Sequence, residues 1–158
     1  MPSYERHIRI RRPAADVFDF VGVNGYRNNP RWEKEVVSWT EVSPLPVGVG
    51  TTAVMHRVEG GKRRDVPMRC VEFATGRCVS WQHTDPGPFQ FFISFEAIEL
   101  SATETDLVVR TVITFAGPLR LMSPLVKRQQ AKTGARLGDE LKRLLEEPAR
   151  TAETVSTA

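Results

Sequence analysis

A chain of 158 residues with 41% apolar and 26% charged residues can bury one sizeable core and has the composition of an ordinary globular domain. Its net charge of +3 and pI near 9.1 are mildly basic, and the densest basic runs (Arg9, Arg11, Arg12 and Lys62-Arg63-Arg64) read as a solvated strand face and a loop. No nucleic-acid surface is expected from them, and no apolar run reaches transmembrane length, so no membrane span is expected.

The first element is a strand over residues 4–12. Ile8 and Ile10 fall to one side, and His7, Arg9 and Arg11 to the other. Pro13 stops the strand and opens a short helix carrying Val17, Phe18, Phe20 and Val21. Asn24 to Pro30 reads as loop or a second brief helix ending at the proline.

Strands follow. Residues 35–42 form one, with Val36, Val37, Trp39 and Val42. Pro44 to Gly50 is a turn-rich link. Residues 51–59 and 63–73 are joined at Gly60-Gly61, and residues 77–84 follow a turn at Thr75-Gly76. Asp85-Pro86-Gly87-Pro88 is a strong break. Residues 89–100 and 105–115 make a last hairpin. Short turns throughout imply an antiparallel meander.

One long amphipathic helix closes the chain over Ser123–Glu147, with Ser123 as N-cap, Pro124 in its first turn and Pro148 as its stop. Met122, Val126, Gln130, Thr133, Leu137, Leu141 and Leu144 share a face. Arg128, Lys132, Arg136, Asp139, Arg143 and Glu146 point away. The 148–158 tail lacks an apolar pattern and is expected to be disordered. Gln130 sits near the centre of the apolar face, where a buried amide needs a partner or a hydrated cavity. Gly134 and Gly138 each cost about 1 kcal/mol of helix propensity relative to alanine. Close backbone approach, or space left for a ligand, would account for them.

Cys70 and Cys78 are the only cysteines, read as free thiols of a reducing cytosol. With three scattered histidines they make no zinc spacing, so neither a metal nor a cofactor is expected. The N-terminal Met1-Pro-Ser-Tyr-Glu-Arg-His7 lacks the apolar core of a signal peptide, and the expected location is cytoplasmic.

Several segments resemble those of the START-like (Bet v 1-like, SRPBCC) superfamily, in its polyketide cyclase/dehydrase and lipid-transport branch. They are Ile8-Arg-Ile-Arg-Arg-Pro-Ala-Ala-Asp-Val-Phe-Asp-Phe-Val21, Asn29-Pro30-Arg31-Trp32, Pro46-Val-Gly-Val-Gly-Thr-Thr52, Phe95-Glu96 ahead of Glu104-Thr105-Asp106-Leu107, and the closing helix. The resemblance covers about residues 4–147 and rests on the order of the segments. It implies an α+β helix-grip fold: a seven-stranded curved antiparallel sheet wrapped around the long C-terminal helix, with short helices after the first strand. Residues 1–147 would be that domain. A hydrophobic cavity would lie between sheet and helix. The resemblance transfers no catalytic residue, because its members include enzymes, carriers and receptors.

Expected cavity residues are Phe18 and Trp32 near the front, Val54, His56 and Trp81 on the middle strands, and Phe91, Phe95, Leu107 and Val109 on the last hairpin. Gln130, Thr133, Gly134 and Leu137 would face them from the helix. His56, in phase with Val54 and Val58, and His83, in phase with Val79 and Trp81, are the candidate catalytic bases, since histidine titrates near neutrality. Glu96 and Arg110 read as outward-facing, while Asp65, Arg69 and Glu72 fit either face. Three functions fit. The first is binding of a hydrophobic small molecule such as a lipid, polyketide-like or aromatic compound. The second is a polyketide aromatase/cyclase using cavity His and polar groups. The third is a protein-interaction module with a vestigial cavity. The missing convergent acid–base set favours binding, and a homodimer stays open.

Overall fold

The structure, a computed structural model, describes residues 3–147, without side-chain surroundings for residues 119, 120, 122 and 123. The expectations for the 148–158 tail, the Ser123 cap and Met122 lie outside the described residues.

The chain forms β1 (Ser3–Ile10), α1 (Ala14–Phe18), a π-helical turn (Asp19–Val23), α2 (Gly25–Trp32) and β2 (Val36–Ser43). Then come β3 (Thr52–Glu59), β4 (Lys62–Ala74), β5 (Cys78–His83), β6 (Phe89–Ser101) and β7 (Glu104–Phe115). A 3-10 turn (Gly117–Met122) leads into α3 (Ser123–Glu146). All strand pairs are antiparallel, in the order β1-β7-β6-β5-β4-β3-β2. This is the helix-grip architecture: one curved seven-stranded sheet, short helices after the first strand, and a long closing helix that packs chiefly against β1.

The start of the chain folds as its residues dictate. Pro13 caps α1, and the N–H groups of Asp16 and Val17 close onto its carbonyl. Phe18 then packs edge-on against Phe73, ring centroids 5.5 Å apart. Gly22 is required here, because a Cβ would lie 2.7 Å from the Phe18 ring. Asn24 is the N-cap of α2, and that helix runs from Gly25 through Pro30 to Trp32 instead of stopping at the proline. In so short a helix the missing N–H removes one bond, and the Glu33 N–H still reaches the Asn29 carbonyl at 3.0 Å.

The ambiguous phase of β4 has a physical cause. A register shift between Cys70 and Glu72 leaves both Val71 and Glu72 exposed and turns Phe73 toward the core. Asp65 and Arg69 also lie on the exposed face. Arg110 is exposed too and donates to Glu5 from Nη2 at 2.6 Å. All five arginines of the two basic runs have acidic partners: Arg9 with Glu104, Arg11 with Glu146, Arg12 with Asp16, Arg63 with Asp65 and Arg64 with Glu59. Cys70 and Cys78 are free, and burial pushes both thiols up.

Candidate functional site

A cavity of about 720 Å³ lies between the sheet and α3, within the size range of small-molecule sites. The strands contribute its apolar wall. Trp81 of β5 meets Trp39 of β2 edge-on at 5.0 Å, and Trp32 of α2 meets Phe95 of β6 at 6.0 Å. Trp39 is fixed by a 2.9 Å hydrogen bond from Nε1 to Asn29 Oδ1. Phe89, Phe91, Ile93 and Val109 extend the wall, and Val126, Gln130, Thr133, Leu137 and Leu141 roof it from α3.

Of the residues expected at the site, Trp32, Trp81, Phe91, Phe95, Val109, Gln130, Thr133, Gly134 and Leu137 line this one cavity. Phe18 and Leu107 do not. Both are buried in the solid core, where Leu107 sits opposite Ile8 and Ala97 in the sheet. Val54 and His56 do not line it either, because the inward face of β3 is Ala53, Met55 and Arg57. Both faces of β3 carry apolar residues, so alternation alone could not choose between them. His56 instead pairs Nδ1 with Asp65 Oδ1 at 2.7 Å and Nε2 with Thr40 Oγ1 at 2.7 Å. His83 is buried but stands behind Phe89, ring centroids 6.1 Å apart, outside the lining. Neither histidine is among the residues that line the cavity.

Gly134 and Gly138 line the cavity, but the space beside them is filled. Inward-facing side chains of β1 lie over them: a Cβ on Gly134 would overlap the Tyr4 ring, and one on Gly138 the Arg6 guanidinium. The glycines thus admit side chains of β1, not another backbone.

The cavity also holds a polar cluster that no sequence motif marks. Glu33, just past the end of α2, and Arg57 of β3 are both largely buried and both line the cavity. Arg57 donates from Nη1 to each carboxylate oxygen of Glu33 at 3.2 Å, and from Nε to Glu59 Oε1 at 2.7 Å. Burial, the largest influence, pushes the Glu33 carboxyl above the usual range, and Arg57 pulls it only part of the way back. Burial also opposes the Arg57 charge, but Glu33 and Glu59 outweigh it and keep the guanidinium cationic. Glu35, also on the lining, is raised by burial but lowered further by Arg136 at 2.6 Å, ending below its ordinary value. The only advance signal for this cluster was an arginine standing among apolar strand residues.

Among the described residues no group of His, Cys, Asp or Glu is arranged to hold a metal, and no helix is long and apolar enough to cross a membrane.

No family model matches the chain. No curated protein matches it either. Solved structures do match its fold. A START superfamily protein from Mycobacterium smegmatis aligns with a TM-score of 0.74 at 14% identity, over 92% of this chain and 97% of that one. The Zhui aromatase/cyclase from Streptomyces sp. R1128 aligns at 0.71 and 17% identity, over 95% and 96%. Ara h 8.0201 aligns at 0.69 and 16% identity, over 90% and 96%. At such identities the likeness establishes the START-like, Bet v 1-like fold and leaves the ligand to the site itself.

Proposed function

We propose that the protein binds a hydrophobic small molecule, a lipid, polyketide-like or aromatic compound, in the cavity between the sheet and α3. The observation that carries this reading is the cavity of about 720 Å³, walled by Trp32, Trp39, Trp81, Phe89, Phe91 and Phe95. Burying an apolar molecule against such a wall contributes about 25 cal/mol per Å². A vestigial cavity would be filled by side chains, and this one is open. The fold shared with START superfamily and aromatase/cyclase structures supports the reading. Native mass spectrometry of protein purified from its own host tests it. A co-purifying apolar ligand is expected, and an invariably empty protein that also takes up no added apolar probe would overturn it.

A second reading, a cyclase-type enzyme, is favoured by Glu33. A cavity carboxyl held above its ordinary value by burial is a candidate to exchange a proton with a bound molecule. With a turned-over substrate in hand, Glu33→Gln would abolish turnover while sparing binding. Full activity in that variant would exclude the reading.

A further inference from the structure

We infer that the ligand is a neutral molecule carrying an adjacent hydrogen-bond donor and acceptor, of amide or hydroxy-carbonyl type, which pairs with Gln130. The inference rests on the small-molecule binding proposed above and specifies its chemistry.

Gln130 lies on the cavity-facing side of α3 and is 9% exposed. Both its amide atoms, Oε1 and Nε2, are buried and have no hydrogen-bond partner in the protein. Which atom is which does not matter, since either orientation leaves one donor group and one acceptor unmet. Such unmet groups are costly in a protein interior, and native side chains seldom leave both ends unpaired. The neighbouring wall offers apolar residues such as Val126 and Leu137. Three rotatable side-chain torsions let the amide turn into the cavity toward an incoming group. A group that both accepts and donates satisfies it fully. A ketone or a carboxylate, which only accepts, leaves Oε1 unpaired.

The charges on the wall argue for a neutral ligand. Arg6 pairs with Asp139, Arg57 with Glu33 and Glu59, Arg64 with Glu59, and Glu35 with Arg136. Lys34, the remaining lining cation, is exposed. Arg6 is incompletely paired, its buried Nε having no partner, but it lies over Gly138, about two helical turns from Gln130. A buried ligand carboxylate beside Gln130 would find no counter-charge there, and its desolvation would go uncompensated.

Three naphthalene probes of one size test the inference by calorimetric titration at pH 7: 2-naphthamide, 2-acetonaphthone and 2-naphthoate. The wild-type protein is expected to bind 2-naphthamide about 5–10-fold tighter than either of the others, the worth of one further hydrogen bond. In Gln130→Leu the preference over 2-acetonaphthone should fall to within about twofold, while the preference over 2-naphthoate, set by the wall's charges, should persist. The variant's thermal midpoint should not drop, because two unmet polar atoms have gone; Gln130→Met gives the same readout should the leucine variant fail to fold. Equal binding of the three probes by the wild type, or an undiminished preference for the amide over the ketone in the folded variant, would overturn the inference while leaving the apolar cavity intact. No binding of any probe would overturn the small-molecule reading itself.

Discussion

The two halves of α3 are one amphipathic helix put to two uses. Its C-terminal half closes onto a packed core: Leu141, at the inner end of the cavity's roof, is 1% and Leu145 4% exposed. That end is also tied to the strand side, with Lys142 donating to the Arg9 carbonyl and Glu146 accepting from the Arg11 backbone N–H. The N-terminal half spans empty space. Val126, Thr133 and Leu137 are only partly buried, and Gln130 is buried without a partner. The same apolar stripe that seals one end leaves the other as the roof of a cavity. Stability and binding are thus separated along a single helix.

Four tests break or sharpen this contrast. The largest loss is expected from Arg57→Met, which strands the Glu33 carboxylate in the cavity wall. Denaturant unfolding at pH 7 should show a loss of about 3–5 kcal/mol. A loss below about 1 kcal/mol would mean that Glu33 is hydrated and the wall is wetter than described.

Leu141→Ala should cost about 2–5 kcal/mol, the range for a fully buried leucine. Leu137→Ala, over the cavity, should cost about 1 kcal/mol or less, since the site already has room beside it. Equal losses at the two positions would erase the distinction between the halves.

The two glycines should also part company. Gly134→Ala meets the Tyr4 ring and should cost about 1–3 kcal/mol despite the better helix propensity. Gly138→Ala meets the mobile end of Arg6, which can swing aside, and should lie within about 0.5 kcal/mol of wild type.

The smallest effect is a pH dependence. The carboxyl of Glu33 sits above its ordinary value in the folded state, so the folded protein holds that proton more tightly than the unfolded chain. Its contribution to stability is therefore complete below the ordinary glutamate range and fades as pH rises through the raised value. Urea unfolding from pH 4 to 8 should show the wild type losing ground to Glu33→Gln on the alkaline side. The opposite slope would show that Arg57 dominates the pair.

The fold was legible because its punctuation is local. Pro13 after an alternating strand, Gly60-Gly61, Asp85-Pro86-Gly87-Pro88 and the long stripe from Val126 to Leu144 each mark an element by short-range chemistry. The cavity's aromatic wall was legible for the same reason, since Phe91 and Phe95 alternate cleanly. The polar half was not. Arg57 faces inward in phase with Ala53 and Met55, where Glu33, 24 residues earlier, meets it, and no periodicity reports a long-range ion pair. The same blindness put Val54 and His56 on the wrong face of β3. In β4 the shift after Cys70 reverses the phase, so alternation could not say where Glu72 points. Tyr4 and Arg6 over the helix glycines are likewise a tertiary fit, visible only once β1 and α3 are packed.

The most direct test of the cavity uses the tryptophans that line it, Trp32, Trp39 and Trp81. Titration with 2-ethylnaphthalene, followed by tryptophan fluorescence, should give saturable quenching with one molecule bound per chain. Thr133→Trp, which fills the space beneath α3, should abolish it. Quenching that never saturates, or that survives the filled cavity unchanged, would contradict the account.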